Sequence, residues 1–274
     1  MILILDADSL LYKAGFSVEK TIRHVTANTI EGTETFTSAA DMREWLKDKD
    51  LTRASVTIKE EKLIEPVENA IHLLKSLLNS IQNKYPDSTM EVYMGGKADY
   101  RFALFPEYKA GRGPKPTHFQ AMFDYLCKKG AIIPEGIEAD DAVCIRAYEC
   151  MELEEDFVLA GVDKDLRQIP CRHYDYGKDV EVILDDWTAD FNFYTQLLMG
   201  DAADNIPGIK GIGIKTAHKL LADCPDEDAM YAVCCEHWED HEAMHISAEL
   251  LYLLRHDKDE WGAPLIEKET SISS

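Results

Sequence analysis

Long apolar runs are missing from this sequence of 274 residues. The first candidate, Met1 to Leu5, stops at Asp6, far short of the ~20 apolar residues that span a bilayer, and it lacks the plan of a signal peptide. It reads as a buried strand ending on an acid, and no membrane partner is expected. Paired cysteines are missing too. There are seven cysteines, an odd number, with no C-x-x-C among them and no Cys/His spacing suited to zinc. Reduced, mostly buried thiols in a cytoplasmic protein are expected. Repeats and low-complexity tracts are absent. Basic charge is scarce: 29 Lys and Arg face 51 Asp and Glu, a formal net charge of −22. Neutralising phosphates takes Lys and Arg, so the mean composition argues against a generic nucleic-acid binder.

The charge is segregated, however. Residues 222–274 hold 14 acids against three Lys or Arg, whereas residues 97–130 hold seven Lys or Arg against three acids. From Asn205 to Leu221 there is no acid at all, while Lys210, Lys215, Lys219 and His218 all fall there. Two solvated surface segments would explain this charge taken alone.

Hydrophobic patterning organises the chain. "ILILDADSLLYKAG" reads as strand, acid, then helix. Residues 16–64 are polar and Thr-rich, with a hairpin hinted at by "NTIEGTETF" and a capped helix by "SAADMREWLKDK". Val67, Ile71, Leu74, Leu78 and Ile81 recur at helical spacing. "MEVYM" reads as a strand, "PTHFQAMFDYLCKKG" as a helix stopped by glycine, and "AII" as a short strand. "EGIEADDAVCIRAYECM" begins a helix with acids at its start, and "DFVLAG" is a strand. Alternation of strands and helices implies parallel βαβ units, hence an α/β fold with a parallel-rich central sheet flanked by helices. From about residue 190 the pattern turns helical, so a core over 1–190 and a helical region over 191–274 are expected.

Four groups of acids fall where strands end or helices begin, the edge at which open parallel sheets bind ligands. Asp6 ends the first strand, with Asp8 two residues on. Glu138, Asp140 and Asp141 open a helix, and Glu138 and Asp141 share a face. Asp163 and Asp165 follow "DFVLAG". Asp201 and Asp204 stand just before the basic run. Helix capping accounts for any one group taken singly, but much less readily for all four. In one cleft these carboxylates would repel unless cations sat between them. An oxygen-only set suits Mg²⁺ or Mn²⁺, and two such ions about 4 Å apart clamp the attacking and leaving oxygens in phosphodiester hydrolysis.

"ILDADSLLYKAG", "YRFALFPEYKAGR", "EADD", "GVDKDLRQIP" and "GDAADNIPGIKGIGIKTAHKLL", in that order, resemble the flap endonuclease and 5′→3′ exonuclease superfamily, most of all the stand-alone exonucleases of short-tailed bacteriophages. The resemblance covers residues 1–10 and about 90–222 well, and is weak over 16–65 and 223–274. It implies a PIN-like core followed by a helix–three-turn–helix region. It assigns Asp6, Glu138, Asp140, Asp141, Asp163, Asp165, Asp201 and Asp204 to a two-ion metal site. It places Lys109 at the scissile phosphate, Arg101 beside it as a second catalytic cation, and Tyr108 and Arg112 on DNA. Asp8 falls within the first motif. Many members carry an Asp just after the strand where this chain reads "YMGG"; Gly95 stands there instead, so one ligand is absent or Asp99 substitutes.

The same resemblance makes residues 199–221 a duplex clamp. Gly208, Gly211 and Gly213 would let backbone N–H groups approach phosphates, and the helix that follows favours an anion at its N-terminus. Lys210 and Lys215 add charge, Thr216 a hydroxyl, and loop carbonyls a seat for K⁺. Such a clamp grips backbone and not bases. A short arch over about 97–130, with "GRGPKP" as a mobile loop, fits the trimming of 5′ ends. The implied protein is a monomeric, Mg²⁺-dependent 5′→3′ exonuclease or structure-specific 5′ nuclease. It would act on duplex or flapped DNA and on RNA in RNA–DNA hybrids, in phage DNA replication or processing in the host cytoplasm, with replication proteins as candidate partners. The alternatives are a PIN-like RNA endonuclease, which needs no duplex clamp, and a non-catalytic DNA-binding relative with a decayed site.

Overall fold

A computed structural model describes residues 1–264 apart from 28, 30 and 31. The elements in chain order are β1 (Ile2–Asp6), α1 (Asp8–Ser17), β2 (Glu19–Ala27), β3 (Glu34–Phe36), α2 (Ala39–Asp48), β4 (Val56–Ile64), α3 (Val67–Lys84), β5 (Thr89–Tyr93) and α4 (Asp99–Leu104). There follow α5 (Phe119–Lys128), α6 (Ala139–Glu152), β6 (Phe157–Ala160), β7 (Arg172–Asp175), β8 (Val180–Ile183), α7 (Asp186–Met199), α8 (Ile214–Leu221), α9 (Glu227–His237) and α10 (His241–Leu251). They form two compact units: Met1–Ser9, Ile81–Pro114 and Gly130 onward make one, and Leu10–Ser80 with Lys115–Lys129 the other.

The first unit is built on a five-stranded sheet in the order β5-β1-β6-β7-β8. The first four strands run parallel, and β8 returns antiparallel to β7. β1 lies between β5 and β6, and its Leu3, Ile4 and Leu5 are fully buried, which is why it reads as an unbroken apolar run. The register sets Asp6 opposite Tyr93 and Leu5 opposite Ala160. The carboxyl ends of β1, β5 and β6 therefore finish along one edge. α6 packs Val143, Ala147 and Cys150 on Ile4 and Leu159. The "AII" segment forms a single parallel bridge, Ile132 to Tyr93, in place of a full strand.

Helices α7 to α10 enclose a core of Tyr194, Leu197, Leu198, Leu221, Met230, Cys234, Met244 and Ala248. The expected boundary near 190 falls inside this unit, because α7 packs both on the helical turn after β6 and on α8 and α9. The last ten residues of the expected C-terminal region, 265–274, lie outside the described residues.

The second unit holds an antiparallel sheet in the order β3-β2-β4. The pairing of β2 with β3 agrees with the hinted hairpin, whose residues 28, 30 and 31 lie outside the described ones. Ser38 caps α2 by accepting from the Ala40 and Asp41 N–H groups, and Met42 and Leu46 pack on Val25. Tyr12 meets Phe119 at a ring separation of 5.4 Å. A Cβ on Gly15 would fall 2.4 Å from Pro116 Cβ, so only glycine permits this approach of α1 to the segment before α5. All seven cysteines are free, five of them buried. Among the described residues no helix is long and apolar enough to cross a membrane.

Candidate functional site

Three strand and helix ends bring carboxylates together. Asp140, from the first turn of α6, joins Asp163 and Asp165, which follow β6; their oxygens lie within 4.8 Å of one another. Asp165, Asp201 and Asp204 form a second such group, so Asp165 is common to both. The turn after β6 is held by the Asp165 N–H donating to Asp163 Oδ1 at 3.1 Å. The loop after α7 closes by paired backbone bonds between Asp201 and Ile206, at 2.9 and 2.7 Å, and the Ala203 N–H donates to Asp201 Oδ1 at 2.9 Å.

Burial and mutual repulsion mark this cluster electrostatically. Burial first, then Asp8 and Asp163, push the Asp6 carboxyl up to about 7 against the lowering effect of the Asp8 N–H. Burial and Asp163 push Asp165 up to about 7, against a hydrogen bond from Gln196. Asp140 is raised by burial, Asp6 and Asp163. Carboxylates that raise one another in this way are discharged by a cation among them. The donor set is all oxygen, so the residues fit a hard divalent ion.

Basic side chains border the acids. Lys109 has a positive φ of 59°, and its N–H donates to the Asp204 carbonyl at 2.8 Å. Its Nζ donates to Glu138 Oε1 and lies 3.7 Å from Asp204 Oδ2. Arg112 reaches Asp204 Oδ1 from Nη2 at 2.7 Å, and Lys164 reaches Asp201 Oδ2 at 3.0 Å. Burial alone would raise the Glu138 carboxyl, but Lys109, Arg101 and Tyr108 outweigh it and hold Glu138 below its ordinary value.

Several expected residues have other surroundings. Arg101 is only 2% exposed. It donates to Asp141 through both Nη atoms at 2.7 Å, to Glu138 at 3.0 Å, and to the Leu250 and Tyr252 carbonyls at 3.1 and 2.7 Å. Those bonds use all five N–H donors of a guanidinium, so none is left for a phosphate. Asp141 is equally enclosed: it takes the Arg101 fork and the Glu138 and Leu254 N–H groups, and it stands in neither acid group. Tyr108 is buried, with its hydroxyl on Glu138 at 2.8 Å. Asp99 does not replace the ligand missing at Gly95: it is 72% exposed and paired with Lys97 at 2.7 Å. The Gly95 N–H instead donates to Asp8 Oδ1 at 2.9 Å.

The basic run divides in two. Gly208 is internal, since a Cβ there would fall 2.2 Å from the Gly200 nitrogen; its glycine serves the crossing of two backbones. Beyond it Lys210, Gly211, Gly213, Lys215 and Thr216 are exposed. Gly211 has φ 89° with open space around it, and Gly213 caps α8 with no side-chain bond. Lys210 and Lys215 stand in no ion pair among the described residues.

Sequence reasoning passed over Lys164, Gln168 and Gln196. Lys164 lies between two acids in "VDKD", which was a usable signal. Gln168 falls inside "GVDKDLRQIP", three residues after Asp165, whereas Gln196 follows no motif and only the fold brings it to Asp165.

Parts of the chain resemble known proteins. The family model described as 5′-3′ exonuclease, C-terminal SAM fold, matches residues 193–256. DNA polymerase I of Pseudomonas aeruginosa is 32% identical over 170 residues, 56% of this chain and 18% of that protein. A 5′-3′ exonuclease of Bacillus subtilis is 30% identical over 183 residues, 58% of this chain and 60% of that protein. The chain thus spans less than two thirds of the length of these relatives. Among solved structures, the T5 D15 protein co-crystallised with metal ions superposes with a TM-score of 0.58 at 16% identity, over 92% of this chain and 89% of that one. The T5 5′-exonuclease with bound divalent metal ions (zinc) gives 0.53 at 16% identity, over 91% and 88%. Both likenesses are of fold. Residues 193–256 thus match the C-terminal SAM fold of 5′-3′ exonucleases, and the chain shares the fold of the T5 proteins.

Proposed function

We propose that this chain belongs to the flap endonuclease and 5′→3′ exonuclease superfamily and is a divalent-cation-dependent nuclease that hydrolyses phosphodiester bonds from the 5′ end of duplex or flapped DNA, and of RNA in RNA–DNA hybrids, in phage DNA replication or processing. The observation that carries the reading is the pair of carboxylate groups sharing Asp165 beside Lys109, Arg112 and Lys164. Asp140, Asp163 and Asp165, with Asp6 beside them, would hold one Mg²⁺ or Mn²⁺, and Asp165, Asp201 and Asp204 the other. When bound, the ions would neutralise phosphate charge and make an attacking water more acidic.

The protein's own groups do the rest. Lys109, held on Glu138 and near Asp204, can pass to a non-bridging phosphate oxygen as negative charge develops there. Arg112 and Lys164 can exchange a carboxylate for a phosphate in the same way. The residues after about 190 would grip the duplex: Lys210 and Lys215 by charge, Gly211, Gly213 and Thr216 by donors at the start of α8, with K⁺ on loop carbonyls.

The test is cleavage of duplex, flap and hybrid substrates labelled at the 5′ or the 3′ end, in Mg²⁺. Short products released from the 5′ end are expected. Sustained digestion of a substrate whose 5′ end carries a bulky adduct while its 3′ end is free would contradict the reading.

A further inference from the structure

Asp165 is the one residue common to both acid groups, so its orientation bears on two cation sites at once. Its Oδ1 accepts from Nε2 of Gln196 on α7. Gln196 Oε1 accepts in turn from Gln168 Nε2 at 3.0 Å, and the same nitrogen donates to the Leu251 carbonyl at 3.1 Å. Both amides are buried, at 7% exposure for Gln168 and 6% for Gln196.

The chemistry at the two ends determines the direction of this chain. A backbone carbonyl only accepts, so Gln168 must turn its NH₂ toward Leu251. That NH₂ also meets Gln196, which must therefore present its carbonyl. The Gln196 NH₂ is then left facing Asp165, where an ionised carboxylate accepts it. With Gln168 removed, the buried Gln196 carbonyl loses its donor, and the amide is held at Asp165 from one end only.

We infer that Gln168 and Gln196 are a positioning pair, anchored on the last turn of α10, that orients Asp165 toward both cation sites. The inference rests on the divalent-cation reading above. Gln196 hydrogen-bonds to the carboxylate; Gln168 hydrogen-bonds to Gln196 and to the Leu251 carbonyl, and acts through Gln196.

The experiment is Mn²⁺ binding, by calorimetry and by the loss of the free-ion paramagnetic resonance signal, to the whole protein without substrate. Wild type is compared with Gln196→Met, Gln168→Met, the double variant and Gln196→Glu, and unfolding in EDTA is followed in parallel. Losing a partner that orients a metal ligand typically weakens binding roughly 10–100-fold. Gln168→Met, which does not touch the carboxylate, should still weaken Mn²⁺ binding, though less than Gln196→Met, and the double variant no more than Gln196→Met alone. Gln196→Glu keeps the acceptor for Gln168 but loses the donor to Asp165; it should change the affinity while keeping the fold. Wild-type affinity in Gln196→Met or Gln168→Met overturns the inference, as do additive losses in the double variant. If the methionine variants fail to fold, Gln196→Glu decides: unchanged Mn²⁺ affinity there overturns it. Failure of the wild type itself to bind Mn²⁺ would instead strike at the proposed function.

Discussion

At the scale of single residues, the motif "YRFALFPEYKAGR" places three cations close together, and sequence gives no sign that they differ. The fold separates them. Arg101 has every donor committed inside, whereas Lys109 and Arg112 border the acids. Arg101→Ala would leave Asp141 buried and unpaired, at a cost of roughly 3–5 kcal/mol of stability. Lys109→Ala should instead lower turnover by about 10²–10³ with a smaller change in KM. Denaturant unfolding and steady-state kinetics on both variants check this; a destabilised Lys109 variant with normal turnover would reverse the two roles. Asp6 supports a second prediction, on pH. Its carboxyl is pushed up to about 7 from an ordinary 3.8. Below about pH 4 folded and unfolded chains both hold the proton. Between about 4 and 7 only the folded chain keeps it, so stability falls as pH rises through that window and then levels. Asp6→Asn removes the effect. In EDTA the variant's Tm advantage should be near zero at pH 4, grow to pH 7 and stay constant above, at about 2–4 °C per kcal/mol. An advantage that shrinks with rising pH would take Asp6 out of the repulsive cluster.

At the scale of elements, legibility follows burial. β1 and β6 were readable because both faces are covered and each is a short apolar run between turns. β4 was not, because most of "VTIKEEKLI" is exposed and carries no clear alternation. β8 escaped for a similar reason, since "VEVI" is largely solvent-facing, whereas β7 is buried but its "RHYD" is polar and forms no apolar run. The acids were legible as strand-end and helix-start residues, but which of them share space depends on register and on loops. Asp141 looks like Asp140 in sequence, yet one residue's step around α6 points it at Arg101. The end of α10 was equally invisible: carbonyls of Leu250, Leu251 and Tyr252 hold Arg101 and Gln168, tying the helical region to both sides of the acid cluster. The exposed stretch from Lys210 to Thr216 gives the prediction at this scale. If it grips duplex, Lys210→Ala/Lys215→Ala should flatten the slope of log K against log salt by about one to two units, at about 0.9 per phosphate contact. Fluorescence anisotropy in Ca²⁺, which blocks hydrolysis, measures it. An unchanged slope would leave these lysines as solvated surface.

At the scale of the whole molecule, a chain of net charge −22 gathers carboxylates that repel one another, and it meets them with only a few side-chain cations. Folding around such a cluster is costly without metal, and the repulsion that makes it costly is what draws divalent ions in. Stability and activity should therefore respond in opposite directions when a carboxylate is removed. Asp140→Ala and Asp163→Ala provide the most direct measurement of the central claim: cleavage of a 5′-labelled duplex in Mg²⁺, read beside Tm in EDTA. Each variant should lose all but a small fraction of wild-type turnover, with a Tm in EDTA that is unchanged or higher. A variant that cleaves at close to the wild-type rate would contradict the assignment of this carboxylate cluster as the hydrolytic site.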